Sequence, residues 1–460
     1  MRRAFTSRLR RLRDRVFGLK MERNVRHILE TIHRRGGEAY LVGGCVRDRL
    51  LGLVPNDYDV VTDLAPDKIE SLFKNSKAVG KSFGVVLVGD VEVATFRKDV
   101  YNPEGSMEGV VFVPSLREDV ARRDFTVNSM AMDTTGKVID FFGGREDLRD
   151  GMLRCVGDPV KRIAEDPVRI LRGLRFAARF GFFLDPATRR AMLSERMKVT
   201  HVPRERIRLE LLKVLKECDK PSAFFDLLRE LRLLRFVFPS LSETVGKRGG
   251  NHHAESVYDH CVMAADHLPK EKPLLRLAGL LHDVGKPRTS RVDEHSGISF
   301  HAHESVGADM AGDDLGFLRF SSKEIEYVTG LVRFHMWNFE EDSKVNTYRR
   351  WMSKLARHGI DVQDLLDLRI ADRKANLKKA GKPVKTYEFR RTIKMIEKVI
   401  EEDSALKLSD MEFNGHDLIA MGLKPSPKFG VILNTLFERI LDDPKLNTRE
   451  KLKELAREMI

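Results

Sequence analysis

The chain has 460 residues, 42% of them hydrophobic and 33% charged, which allows several packed cores and is too polar for a membrane-embedded protein. No apolar run approaches the roughly 18 residues that span a bilayer. Lys plus Arg exceed Asp plus Glu by 82 to 69, and the net charge of +13 favours polyanionic partners, nucleic acid foremost, through counterion release.

Residues 1–22 read as a basic arm, with eight Arg or Lys among the first twenty positions and Asp14 as the one acid. Three readings stand for it: an RNA-touching arm, an organelle transit peptide, or a stretch ahead of a true start at Met21. From Val25 to about Phe142 the pattern alternates between helix and strand. Glu38–Val42 reads as a strand, a glycine turn follows, Arg47–Leu51 reads as a short helix and Asp57–Thr62 as a second strand. Phe83–Val88 and Val91–Phe96 are strands joined by Gly89-Asp90, a two-residue hairpin signal.

After Gly157 the period changes to that of a helix, over Arg162–Phe180 and again over Glu205–Glu217. The cluster Gly249–His253 reads as a joint opening a helical block that runs to about Asn376. Residues 373–398 hold ten Lys or Arg against two Glu, and the chain closes in helices broken at Pro425 and Pro427. The expected class is α+β: a small mixed-sheet head at 23–150, then helical blocks at 151–245, 246–378 and 379–460. Cys45, Cys155, Cys218 and Cys261 lack CxxC spacing, so no disulfide framework or thiolate zinc site is indicated and a reducing cytoplasm fits.

The first chemical constellation is LVGGCVRD (Leu41–Asp48) followed by NDYDVVT (Asn56–Thr62). Gly43 and Gly44 let the backbone approach a phosphate, and the following helix aims its amides at the anion. On one strand, Asp57 and Asp59 would project to the same side. Two carboxylates so placed, with nucleotide phosphates completing the shell, suit Mg²⁺, and Glu92 in EVATFR is the expected third acid. A DxD pair or a GG turn alone is common; their order and spacing are not. Together they resemble the motif of the DNA polymerase β superfamily, in particular the class II nucleotidyltransferases, which comprise bacterial CCA-adding enzymes and poly(A) polymerases.

The resemblance continues in RRDFTVNSMAMD (Arg122–Asp133). It implies that Arg122, Arg123, Asp124, Thr126 and Asn128, with Gly43, Gly44 and Arg47, line a nucleotide pocket, where arginines suit phosphate and short polar side chains suit ribose. EDPVRILRGLRFAARFGF (Glu165–Phe182) resembles the family's base-selecting motif. Asp166 and Arg169, three apart, are expected as neighbours on one helix face, an acceptor beside a donor, with Arg172 continuing that face. Cytosine and adenine each present an amine donor beside a ring-nitrogen acceptor, and uracil and guanine the reverse. The plainer reading is a helix-capping salt-bridge set, Asp166 to Arg169 and Glu165 to Arg169.

A second constellation comprises YDHC (His260), LLHDVGK (His282, Asp283, Lys286), FHAHES (His301, His303) and RIADRK (Asp372). Mixed nitrogen and oxygen donors suit a divalent ion, and the pattern resembles the HD phosphohydrolase superfamily. The resemblance implies His260, His282, Asp283 and Asp372 as ligands of a metal whose identity is open, with His301, His303 and His335 as extensions. It further implies hydrolysis of 2′,3′-cyclic or 2′-phosphates at damaged RNA ends.

The implied partners are the tRNA 3′ end, CTP and ATP, with a tRNA-binding helical tail (Phe413–Leu433 and beyond). The oligomeric state is open. Three rival products also stand: poly(A), since the resemblance extends to poly(A) polymerases that share these head motifs, and CC alone or A alone; the loop Lys98–Val113 reads YNPEGSMEGV where the family pattern is basic, which puts addition of the terminal A in doubt. A rival of another class is an HD phosphohydrolase whose head merely binds RNA.

Overall fold

The computed structural model describes residues 23–80, 83–101, 107–250, 254–293, 297–340, 342–377, 386–402 and 405–460. The basic arm lies outside them, as do parts of the Lys98–Val113 loop, the Gly249–His253 joint and the basic run at 373–398. Two compact units emerge: one runs to Val214 and takes in Ala223–Phe236, the other holds Leu215–Ser222 and Val237–Ile460. Among the described residues no helix is long and apolar enough to cross a membrane.

The first unit is built on strands β1 (Ala39–Val42), β2 (Asp59–Thr62), β3 (Ser76–Gly80), β4 (Val85–Val88), β5 (Val91–Thr95), β6 (Arg97–Tyr101), β7 (Met107–Phe112), β8 (Met130–Met132) and β9 (Val138–Asp140). Seven of them form one mixed sheet in the order β3-β4-β5-β2-β1-β8-β9, while β6 and β7 pair separately. This is the α+β head expected. Gly89 takes φ +61 in the β4–β5 turn, as the Gly-Asp pair requires. Val42 and Val61 are buried with Phe96, Leu116, Val120 and Ala131, so the helix Leu116–Ala121 covers the middle of one sheet face. Asp59 pairs in register with Val42 on one side and Glu92 on the other, which puts both acids at the open end of that same face.

Two local expectations give way. The second strand begins at Asp59, not Asp57, because β1 ends at Val42, the partner of Asp59, and offers nothing opposite Asp57 and Tyr58. The helix expected over Arg162–Phe180 is two helices, Pro159–Glu165 and Val168–Phe180. Asp166 between them is extended at φ −149, ψ 96, the conformation a following proline imposes on its neighbour.

The second unit is helical. Val257–Asp266, Pro273–Leu281, His303–Phe317, Ser322–Phe334 and Val362–Ala375 make its first block, floored by Tyr258, Cys261, Leu277, Leu281, Leu331 and Leu368, all essentially inaccessible. A hairpin of Ser290–Asp293 and Gly297–Phe300 interrupts it where only helix was expected. The closing helices Lys428–Asp442 and Arg449–Arg457 share a separate core of Phe413, Leu418, Leu436, Phe437 and Leu452.

Candidate active site and metal centre

Gly43 ends β1 at φ +80, ψ −138 and opens the helix Gly44–Leu50. A Cβ there would stand 2.5 Å from Arg123 Nη1 and 3.5 Å from Asp59 Oδ2, so the glycine is where a guanidinium and a carboxylate meet the main chain. Burial pushes the Asp59 carboxyl above the usual carboxylate range; Arg123 opposes this and Asp57 adds to it. Glu92 is likewise raised, by burial and then by Asp59 and Asp57. Asp59 and Glu92, whose ionisation is hindered by burial and by neighbouring carboxylates, form a site where a cation is welcome. Asp57 is exposed on the lead-in to β2, and the three head acids do not close into a set of ligand atoms all within 4.8 Å, as residues of the second unit do.

The residues of the RRDFT segment are held in a charge network. Arg122 donates to Asp119 at 3.1 Å and to Asp99 at 3.1 Å, and Arg123 lies 3.9 Å from Asp119. Asp124 accepts from Asn128 Nδ2 at 3.0 Å and Arg172 Nε at 2.9 Å; burial works against its charge, yet Arg172 holds it well below the carboxylate range. Thr126 donates to Asp147 at 2.6 Å. Arg47 is 4% exposed: it donates to Asn128 Oδ1 at 2.6 Å and to Asp48, and its guanidinium lies 5.0 and 4.7 Å from the rings of Phe176 and Phe180. It thus fastens the glycine-turn helix to Asn128 and to Val168–Phe180. Asp99 and Asp119, which bind Arg122, and Glu210, 3.9 Å from Arg172, were missed by sequence reasoning, although Asp119 stands three and four residues before Arg122 and Arg123, the helical pairing distance.

Asp166 and Arg169 do not pair through their side chains. Arg206 holds Asp166 in a two-pronged contact at 3.0 and 2.7 Å, while Arg169, 5% exposed, donates to Glu165 at 2.7 Å and to the Tyr101 hydroxyl at 3.1 Å. Half of the plainer salt-bridge reading, Glu165 to Arg169, is present. The other half is replaced, because the Asp166-Pro167 break takes the carboxylate off the helix face.

In the second unit, His260 on Val257–Asp266, His282 and Asp283 after Pro273–Leu281, His303 opening His303–Phe317 and His335 after Ser322–Phe334 converge. The ligand atoms of His260, His282 and Asp283, and those of Asp283, His303 and His335, lie within 4.8 Å of one another; Asp372 Oδ1 is 3.1 Å from His260 Nε2. His301 is exposed and outside both groups. Nδ1 of His282, His303 and His335 faces the main-chain oxygens of Gly279, Phe300 and Val332 at 2.8, 2.8 and 2.6 Å. That contact keeps the proton on Nδ1 and turns the Nε2 lone pair inward. Nε2 of His282 and of His303 is buried and makes no hydrogen bond of good geometry, but each faces the Asp283 carboxylate, at 3.4 and 3.3 Å, a donor cluster that suits a divalent cation. Burial opposes charge on Asp283, but Lys286 and His282 hold it far below the carboxylate range. Burial likewise opposes charge on His260, yet the carboxylates of Asp372 and Glu255 bring its pKa to about 9. The donor set fits a borderline divalent metal.

Comparison with known proteins agrees with this geometry. Residues 39–154 match the poly A polymerase head domain, 181–244 the segment described as "Probable RNA and SrmB-binding site of polymerase A", and 251–377 the HD domain. The CCA-adding enzyme of Bacillus licheniformis is 41% identical over 194 residues, 41% of this chain and 49% of that enzyme, so the chain matches about half the length of this relative. The A-adding tRNA nucleotidyltransferase of Deinococcus radiodurans is 32% identical over 411 residues, 87% of this chain and 91% of that one. The crystal structure of the Bacillus stearothermophilus CCA-adding enzyme in complex with CTP superposes with a TM-score of 0.66 at 24% identity, over 95% of this chain and 97% of that one, a likeness of fold. The chain belongs to the class II nucleotidyltransferase family of CCA-adding enzymes and poly(A) polymerases, and carries an HD domain after its polymerase head.

Proposed function

We propose that this protein adds C, C and A to the tRNA 3′ end from CTP and ATP without a nucleic-acid template. The observation that carries the reading is the register of Asp59 with Glu92 beside Gly43 and Arg123. Mg²⁺ held by Asp57, Asp59 and Glu92 would assist in-line attack by the RNA 3′-hydroxyl and offset the charge of the departing pyrophosphate. Arg122 and Arg123 face the triphosphate, Asp124 and Asn128 are braced by Arg172 and Arg47 to meet the sugar, and Thr126 anchors the segment through Asp147. Asp166 and Arg169 read the base edge, taking the amine proton and serving the ring nitrogen. With UTP or GTP neither group meets its complement, so the base gains no hydrogen bonds to set against the ion pairs it would have to open.

Because Asp166 sits with Arg206 and Arg169 with Glu165, selection requires the incoming base to share or displace those partners. The deciding experiment offers tRNA ending at the discriminator base, tRNA ending in CC, and oligo(A), with all four nucleotides, and sequences the products. CCA on the first substrate is expected; tails on oligo(A) would make the protein a poly(A) polymerase. Extension of the CC-ended tRNA alone would make it an A-adding enzyme, a second reading favoured by the Deinococcus radiodurans relative, which matches most of the chain.

In the HD domain, His260, His282, Asp283 and Asp372, with His303 and His335, are assigned to a divalent metal and to phosphohydrolysis of blocked RNA ends. Opening of a 2′,3′-cyclic phosphate on tRNA to a monophosphate, or release of inorganic phosphate from a 2′-phosphate-ended tRNA, by the wild type, and its loss on metal chelation, tests that assignment. Four buried, unbridged cysteines fit work in a reducing cytoplasm.

A further inference from the structure

Three of the four histidines in the HD centre direct Nδ1 at a main-chain oxygen. The fourth does not. His260 Nδ1 lies 3.2 Å from Oε1 of Glu255, a carboxylate whose side chain is 1% exposed. Its other oxygen, Oε2, accepts from the backbone N–H of Leu377 at 3.0 Å and of Ala254 at 3.1 Å. Glu255 stands just ahead of the helix that carries His260, and Leu377 just past the end of the helix Val362–Ala375 that carries Asp372. On the far side of the His260 ring, Nε2 is 3.1 Å from Asp372 Oδ1 and 3.7 Å from Asp283 Oδ2. One buried carboxylate therefore touches both the ring of one assigned ligand and the chain end of another, 117 residues apart by their numbers (377 − 260).

We infer that Glu255 is a positioning residue of the HD centre: it sets the tautomer and tilt of His260 and clamps the Asp372 helix so that both reach one ion. The inference rests on the divalent-metal reading of that centre. A carboxylate is a stronger acceptor than the main-chain oxygens serving the other three rings, and makes the imidazole it binds a better donor to metal. Both of its oxygens must accept, since His260 Nδ1–H, Leu377 N–H and Ala254 N–H are all donors. A glutamine has only one acceptor oxygen. Turned towards His260, it presents N–H₂ to two backbone donors and opens the clamp; turned towards the backbone, it donates to Nδ1 and moves the ring proton to Nε2, where the metal should bind.

The test titrates the metal-free full chain with Co²⁺, whose visible absorption reports nitrogen coordination, and follows metal-free thermal unfolding in parallel. A chain carrying His282→Ala and Asp283→Ala serves as the blank for the head site. Glu255→Gln is expected to bind Co²⁺ about 10–100-fold more weakly than wild type, with an altered absorption band, alongside whatever fall in metal-free melting temperature its lost contacts bring. A purely structural residue would move the melting temperature and leave the affinity of the folded protein alone. If Glu255→Gln does not fold, Glu255→Asp, which keeps the charge but shortens the reach, is expected to weaken Co²⁺ binding in the same direction. Wild-type affinity and band shape in the folded variant overturn the inference while leaving the metal centre standing. A wild type indistinguishable from the blank overturns the metal centre itself, and the inference with it.

Discussion

Replacing Gly43 by alanine separates backbone strain from intrusion into the proposed active site. At φ +80, ψ −138 an alanine occupies a region almost reserved for glycine, which costs about 1–3 kcal/mol of stability wherever it occurs. The added methyl also starts 2.5 Å from Arg123 Nη1, and ordinary carbon–nitrogen contact at about 3.5 Å requires the guanidinium to retreat by about 1 Å. Arg123 is the foremost of the cations that oppose the burial of charge on Asp59, so on the proposed mechanism its retreat weakens both the grip on triphosphate and the ionisation of the acid assigned to the metal. A displacement of about 1 Å among positioning groups costs on the order of 100-fold in rate. Gly52 supplies the control, with φ +71 and nothing within 4 Å of a built Cβ. Denaturant unfolding should show similar stability losses for Gly43→Ala and Gly52→Ala. Single-turnover CMP incorporation into tRNA should fall about 100-fold only in the first. If Gly43→Ala incorporates within about twofold of wild type while sharing the stability loss, nothing that matters to the chemistry approaches that turn.

The Asp59→Asn substitution should trade function for stability. The folded pKa of Asp59 is raised, so the native state holds the proton more tightly than the unfolded chain, and stability is lost as pH rises through the raised value, from just above the ordinary aspartate range of about 4. The variant should therefore melt higher than metal-free wild type at neutral pH, with the gap closing in acid, while Mg²⁺-dependent incorporation disappears; a lower neutral-pH melting temperature would refute the sign. Asp166→Ala should relax discrimination against UTP and GTP by roughly tenfold or more, the loss of one paired buried group. Competition assays with all four nucleotides measure this, and an unchanged base preference would leave only the ion pair with Arg206 as its role. His282→Ala together with Asp283→Ala should erase opening of cyclic-phosphate ends and phosphate release from 2′-phosphate ends yet spare nucleotide addition; loss of both would mean that the HD block is required for folding.

The elements most legible in the sequence were those in which one pattern had one physical meaning. Gly89-Asp90 between two β-branched runs admits only a tight hairpin, and the structure has it. The histidines of the second unit were equally accessible, because a charged pair inside the apolar run of Pro273–Leu281 and its successor has few uses other than a buried site. What the sequence withheld were partners rather than participants. Nothing in the order of residues announced that Asp99 would join Asp119 on Arg122, or that Arg206 would cross from Arg204–Glu217 to hold Asp166. These pairings depend on which elements lie side by side, and linear spacing does not contain that.

Asp166 illustrates the point and also carries its correction, because the signal was present and was outvoted. Apolar residues at helical spacing run from Ile163 through Phe176, and periodicity alone draws one helix through them. Pro167 forbids it: the ring excludes the helical conformation at the preceding residue, and a single extended residue turns the carboxylate from a helix face towards a neighbouring helix. Asp166 and Arg169 are consequently not a preformed acceptor–donor pair but two groups, each neutralised by a different partner, Arg206 and Glu165. Without those partners, the largely buried Arg169 guanidinium and the nearly buried Asp166 carboxylate would carry much of the cost of unpaired charge. With them, a nucleotide must offer hydrogen bonds good enough to compete with a salt bridge before it is accepted. A pocket that starts from satisfied ion pairs rejects a mismatched base by leaving the pairs closed, and on that account removing Arg206 should loosen selection almost as much as removing Asp166.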